Sequence, residues 1–347
     1  MSEVLPHGCG KDAGSNGNAT YFLEIHRLTG IFMTMTASSP VRKIFVVGCP
    51  RSGTTVIQAL LAERPDVLSF GETNYMLRLL GHFDRWLQDD RSAAKKWRRR
   101  LRLARGKTHG DMRRCLDNAF KAYDDVPGLR RKLSGRGYIR EFCRILDAMA
   151  LERGCSCWVE KTPDHLAYLD VLEKEVPEAH FLHVLRKGED VMASVLDGQL
   201  RYSRHNVFAG SLPYWVRRWN RASQEHVRFA GRPRHTVLPY ECLFTSTQRV
   251  REFLQALPGP PEQKSSDPRT GLKPIADLDD EPWKDGSTDG VLRPPERKFE
   301  NMFGPGGRAH LARDLHDYED IIASIAERQP DLPWIADAAA GMPAAAS

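Results

Sequence analysis

The segment Lys43-Ile-Phe-Val-Val-Gly48-Cys-Pro-Arg-Ser-Gly53-Thr54-Thr55 constrains the fold more than any other part of the chain. Its first half is a short apolar, β-branched run closed by glycine, the pattern of a strand buried on both faces of a parallel sheet. From Gly53 the pattern turns helical through Val56-Ile57-Gln58-Ala59-Leu60-Leu61. Glycines at both ends of a strand-to-helix loop let the backbone wrap an anion. Amide N–H groups and the helix N-terminus then face it, as in the phosphate loop G-x-x-x-x-G-K-[ST]. Here Thr54 stands where that loop carries lysine. The lysine ordinarily reaches the β- and γ-phosphates of a nucleoside triphosphate, and the next Ser/Thr holds magnesium. Its replacement argues against phosphoryl transfer from ATP. It favours an anion held by amides, by the hydroxyls of Ser52, Thr54 and Thr55, and by Arg51, with no metal.

Four more strands are predicted at Val67–Phe70, Ser156–Glu160, His180–Arg186 and His235–Tyr240. Helical patterns follow at His165–Glu175, Glu189–Leu200 and Gln248–Ala256. This alternation predicts an α/β fold of three αβα layers around a central parallel sheet, like that of the P-loop nucleotide kinases. Residues 41–335 are expected to form that domain. A long helical insertion, residues 74–153, separates the second and third strands and is read as a lid or acceptor region. Within it Arg91–Lys107 holds nine Lys or Arg and no acidic residue. Such a run reads first as a solvated face, and second as a docking face for an acidic partner. Residues 258–305, rich in Pro, Gly, Asp and Ser, read as a long functional loop covering the ligand. Residues 1–40 read as a flexible arm and 336–347 as a disordered tail. Trp215 and Trp219, four apart, are expected in the core, while Trp86 and Trp97 are candidates to line an acceptor pocket.

A net charge of +6 is too mild to argue for nucleic acid and suits an anionic co-substrate. Seven cysteines lack zinc or redox spacing, so reduced thiols and a cytoplasmic location are expected. No apolar stretch approaches the roughly 18 residues of a membrane span, and the opening segment lacks a secretory pattern.

The stretches Val46–Thr55, Arg64-Pro-Asp-Val67 and Gly71-Glu-Thr73 resemble the donor-binding region of phosphosulfate-dependent sulfotransferases. The likeness is to the branch containing tyrosylprotein sulfotransferases and many bacterial members. Trp158-Val-Glu-Lys-Thr-Pro163, Phe181–Arg186 and Asp190-Val-Met-Ala-Ser194 extend it over about half the core. The insertion and the first 40 residues have no such counterpart.

The resemblance implies 3′-phosphoadenosine 5′-phosphosulfate (PAPS) as co-substrate, released as adenosine 3′,5′-bisphosphate (PAP), without a metal. It assigns Arg186 and Ser194 to the 3′-phosphate, Lys161 to the oxygen bridging phosphate and sulfate, and Tyr240 to the donor. It makes Glu72 the general base. Other sulfotransferases use histidine, which leaves His82, His165 and His183 as rivals. Ser287, in a loop resembling one that folds over the phosphosulfate, would bond the bridging or sulfate oxygens. Arg293, Arg297 and Lys298 would be nearby cations, with Lys298 standing in for a later family lysine. Glu160 and Asp164 are expected beside Lys161, and Glu241 is expected to cap the turn after Tyr240. The acceptor stays open: a small molecule, a carbohydrate, a lipid, a peptide or a carrier-bound group. A homodimer is compatible with the sequence. Two other readings are a P-loop-related kinase and an inactive sulfotransferase-like binding module.

Overall fold

The computed structural model describes residues 41–81, 83–88, 92–203, 208–260, 284–285, 287–288, 291–292, 298–332 and 334. The expectations for residues 1–40 and 336–347, for His82, Arg293 and Arg297, and for most of 258–305 lie outside the described residues.

Among the described residues five strands are formed: β1 (Arg42–Gly48), β2 (Val67–Phe70), β3 (Cys157–Lys161), β4 (His180–Leu185) and β5 (His235–Pro239). They build one sheet in the order β2-β3-β1-β4-β5, with every pairing parallel. The apolar runs are buried as their composition requires: Phe45, Val46 and Val47 in β1 and Val159 in β3 have no exposure. β3 starts and ends one residue later than expected, so Lys161 is the last residue of the strand.

The helices, in chain order, are α1 (Thr54–Ala62), α2 (Tyr75–Leu80), α3 (Phe83–Leu87), α4 (Ser92–Arg102), α5 (Thr108–Ala119) and α6 (Gly135–Glu152). They continue as α7 (Leu169–Glu175), α8 (Gly188–Arg201), α9 (Leu212–Phe229), α10 (Cys242–Thr245) and α11 (Thr247–Ala256). The last helices among the described residues are α12 (Lys298–Met302), α13 (Pro305–Asp314) and α14 (Tyr318–Arg328). The expected helix from His165 begins as a 3₁₀ segment, Pro163–Tyr168, before α7. Right-handed crossovers place α1 on one face of the sheet and α6 to α9 on the other. α11 packs on α1, and α9 packs on α8, the 3₁₀ segment and α14, which completes three layers.

Strand order reverses at β1, which lies between β3 and β4. The crevice beyond the carboxyl ends of these strands is where open α/β sheets bind ligands.

The insertion packs into the common core. In α6, Tyr138, Ile139, Phe142, Ile145, Leu146 and Met149 recur every three or four residues and are buried. Ser134 caps this helix, its Oγ accepting from Gly137 N at 3.1 Å. Phe142 stacks on Tyr75 of α2, with ring centroids 4.2 Å apart. Trp86 and Trp97 belong to this core, each 8% exposed, and Trp97 Nε1 donates to Gly81 O at 2.9 Å. They do not line the cavity described below, because their rings supply the apolar area that docks α3 and α4.

Candidate active site

The loop from β1 to α1 turns through two left-handed residues, one eased by glycine and one not. Arg51 has φ 73° and Gly53 φ 90°, both left-handed. A Cβ on Gly53 would lie 2.3 Å from Tyr240 Cδ2, so glycine answers both the dihedral and the tyrosine ring packed against it. Ser52 lies outside the cavity lining: it is 1% exposed, and its amide closes the turn on Cys49 O at 3.1 Å.

A cavity of about 390 Å³ opens at the switch point. It gathers Arg51, Gly53, Thr54, Thr55, Glu72, Arg186, Ser194, Tyr240 and Ser287 from the sequence candidates. Lys161 sits behind its wall.

At one end are two guanidinium groups. Arg51 Nε donates to Ser194 Oγ at 3.0 Å, and Arg186 Nη1 donates to Arg51 O at 3.3 Å. The Arg186 guanidinium lies 4.7 Å from the Tyr240 ring centre, and that of Arg51 lies 5.0 Å from the Phe208 ring centre. Arg186 Nε is buried without a hydrogen-bond partner among the described residues. Burial, and then the neighbouring Arg186 charge, push the Arg51 pKa down. Two like charges held together with unspent donors form a site that an anion would complete.

The surrounding backbone is fixed. Trp219 Nε1 donates to Arg186 O at 2.9 Å, and Lys187 N donates to Glu241 Oε1 at 3.1 Å. Glu241 therefore does not cap the turn after Tyr240 with its side chain. Its other oxygen accepts from Tyr318 OH at 2.5 Å, tying α14 to the β4–α8 junction.

At the other end stands Glu72. Its Oε1 lies 2.5 Å from Lys161 Nζ and 3.0 Å from Lys284 Nζ. Burial alone would raise the Glu72 pKa, but the two ammonium groups outweigh it and hold the carboxyl at about 2. Lys284 is a functional candidate that sequence reasoning missed. It lines the cavity beside Ser287, whose amide donates to Lys284 O at 3.0 Å.

The residues expected beside Lys161 are engaged elsewhere. Glu160 is fully buried and accepts from Thr73 Oγ1 at 2.8 Å and Thr162 Oγ1 at 2.6 Å. His165 Nδ1 faces Glu160 Oε2 at 3.0 Å while its Nε2 accepts from Met76 N at 3.3 Å, which places the ring proton on Nδ1. This network pins Thr73, and hence Glu72, against the end of β3. Asp164 pairs with Arg218, whose guanidinium is packed 5.0 Å from the Phe83 ring centre and 4.7 Å from that of Trp215. Trp215 is buried as expected, yet it also lines the cavity with Asp164 and Arg218.

The two described histidine rivals do not reach the cavity. His165 serves Glu160, and His183 lies within β4, bonded to His226 at 3.1 Å and His235 at 2.9 Å. Lys298 pairs with Asp197 of α8 at 2.8 Å and is not part of the cavity lining. Among the described residues no group of three or more His, Cys, Asp or Glu side chains is arranged to hold a metal ion.

The profile of the sulfotransferase family matches residues 43–256, which run from β1 to the end of α11. A protein-tyrosine sulfotransferase of Drosophila melanogaster is 25% identical over 224 residues, 62% of this chain and 38% of that protein. Protein-tyrosine sulfotransferase 1 of Danio rerio is 26% identical over 179 residues, 52% of this chain and 41% of that protein. The chain thus spans about two fifths of the length of these curated relatives. A sulfotransferase from Alicyclobacillus acidocaldarius is 15% identical in sequence, and its structure covers 82% of this chain and 94% of its own at a TM-score of 0.42. With the profile matched across the whole sheet, the chain belongs to the sulfotransferase family.

Proposed function

We propose that the protein transfers a sulfuryl group from PAPS to an acceptor hydroxyl, with Glu72 as general base. One observation carries this reading. A single cavity is lined by two arginines and a serine and by a carboxylate clasped by two lysines.

The residues present fit such a donor. Arg51, Arg186 and Ser194 offer a forked set of donors to a terminal phosphate ester, and Arg186 Nε has one still unspent. The loop amides with Thr54 and Thr55 face the 5′ side. When bound, the donor supplies an activated sulfuryl group on a phosphate leaving group. On this reading Lys284 and Ser287 in the cavity wall, with Lys161 behind it, stabilise the charge that builds on the leaving phosphate oxygen. As the lysines turn to that oxygen, Glu72 loses the cations that hold its pKa down and becomes a better base. Each unit regained corresponds to about 1.4 kcal/mol. Glu72 then takes the acceptor proton as the acceptor oxygen bonds to sulfur and the sulfur–phosphate oxygen bond breaks.

The acceptor falls within the small-molecule or carrier-bound class, and the Asp164–Arg218 pair with Trp215 forms the cavity wall nearest to it on this reading. The test is calorimetric, followed by an acceptor screen. PAP is expected to bind without magnesium, and labelled PAPS to yield sulfated products. Magnesium-dependent binding of ATP with no binding of PAP would replace this reading with the kinase one.

A further inference from the structure

The insertion carries a surface that the catalytic reading leaves unused. After α4 the chain passes beside residues 130–133, and Ala104 N donates to Leu133 O at 2.8 Å. The adjoining side chains Leu103 and Leu133 are 70% and 83% exposed, the two most exposed large hydrophobics among the described residues. Around them stand Arg98, Arg99, Arg102, Arg105, Arg130 and Arg131, all exposed. None of the six is paired with a carboxylate among the described residues. Two nearby acids are already engaged, Asp111 with Arg114 at 2.7 Å and the buried Glu141 with Arg144 at 2.7 Å and Lys132 at 2.9 Å, which leaves the exposed Asp124 and Asp125 against six arginines.

We propose that this face docks on an anionic phospholipid surface, with Leu103 and Leu133 entering the headgroup–acyl boundary and the arginines meeting the headgroups. Two features favour a bilayer over a protein partner. The leucines project outward, whereas a partner's side chain would need a receiving groove. The adjoining hollow measures only about 50 Å³, against roughly 300–1,000 Å³ for a working pocket. Protruding apolar side chains ringed by unpaired cations are also the footprint of interfacial membrane binding. The surface communicates with the cavity through α2. Arg78 and Leu79 line the hollow, while Asn74, just before the same helix, lines the large cavity. At six residues, that helix is about 9 Å long.

The proposal is independent of the donor reading and is tested without turnover. The full chain is floated with phosphatidylcholine vesicles containing about 30% phosphatidylserine, or none, at about 0.1 M salt. Binding is expected only to the anionic vesicles. Exchanging Leu103→Ser with Leu133→Ser keeps the charge and is expected to weaken binding about tenfold or more. Each arginine is worth roughly a fivefold change at such a surface. Reversal of Arg102, Arg105, Arg130 and Arg131 to Glu should therefore abolish binding. All six positions are exposed, and an unchanged thermal midpoint will show that each variant is folded. Equal binding to both vesicle types, or unchanged binding after the arginine reversal, would overturn the proposal. Full vesicle binding after the leucine exchange would overturn the insertion of Leu103 and Leu133 and leave only a charge attraction that any polyanion could satisfy.

Discussion

Lys161 Nζ lies 2.5 Å from Glu72 Oε1, with the lysine side chain 1% exposed and the glutamate 28% exposed. The asymmetry follows from position: Lys161 ends a central strand, while Glu72 follows an edge strand and opens on the cavity. A lysine held so deeply can serve only what reaches the strand end. A carboxylate held this way is ionised at every working pH, and its basicity is governed by where the lysines point.

Replacing either member should therefore cost far more in turnover than in donor affinity. Glu72→Gln and Lys161→Ala are each expected to lower turnover by about 10²–10⁴. Affinity for unreacted PAPS, measured without acceptor, should stay within a few-fold, because Arg186 and Ser194 are untouched. Lys161→Ala leaves Lys284 beside Glu72, so its stability loss should fall below the roughly 3–5 kcal/mol of a fully orphaned buried charge. Steady-state kinetics, calorimetry and thermal denaturation on the same samples check all three statements. Turnover near wild type in both variants would remove Glu72 and Lys161 from the chemistry.

The other end of the cavity makes the opposite prediction. Arg186→Ala should weaken PAP binding by about 10–100-fold, the worth of a charge-assisted hydrogen bond set of about 1.5–3 kcal/mol. Adenosine 5′-monophosphate, which lacks the 3′-phosphate, should lose little. Ser194→Ala should show the same selectivity with a smaller effect. Equal losses for both ligands would move these residues away from the 3′ position.

Much of this geometry is legible in the sequence, for identifiable reasons. β1, the loop and α1 are written in consecutive residues, so local pattern suffices. Arg186 and Ser194 are separated by less than one helix, so their meeting follows from a strand-to-helix turn. Lys284 is not legible: it lies in a Pro- and Asp-rich stretch, and only the folded chain brings it to Glu72. Glu160 and Asp164 flank Lys161 in sequence, but alternation along β3 turns Glu160 to the opposite face, towards His165, and Asp164 meets Arg218 from α9. The pairing of each is set by packing between distant elements, which a linear reading does not contain.

Gly53→Ala tests the cradle from the backbone side. The new methyl would meet the Tyr240 ring at a left-handed φ, so both strain and a clash are added. A loss of about 1–3 kcal/mol in stability is expected. PAP binding should weaken with it, because Tyr240 packs over Arg186 and cannot shift alone. A Gly53→Ala protein with native stability and native PAP affinity would show that the loop tolerates a different path.

The histidines inside the sheet predict how the fold responds to acid. His183 Nδ1 is 3.1 Å from His226 Nδ1, and His183 Nε2 is 2.9 Å from His235 Nδ1. Each contact needs one protonated and one bare nitrogen, so His183, which makes both, is satisfied only while it is neutral. Burial is the main cause that holds these pKa values down: His226 falls to about 3, His235 to about 4, and His183 well below its usual value. The unfolded chain binds protons near pH 6.5 and the folded one does not, so this contribution is complete above 6.5. It is lost as pH falls towards the folded values. At pH 5 the loss for His226 alone is about 2 kcal/mol. Unfolded carboxylates titrate near pH 4, and Glu241 and Asp190, raised by burial, act in the opposite sense, so the loss between pH 6.5 and 5 belongs to the histidines. The thermal midpoint should therefore drop over that window, and His226→Leu should flatten the slope even though its midpoint at pH 7 is lower. A slope identical to wild type would mean that His226 is already charged in the folded protein.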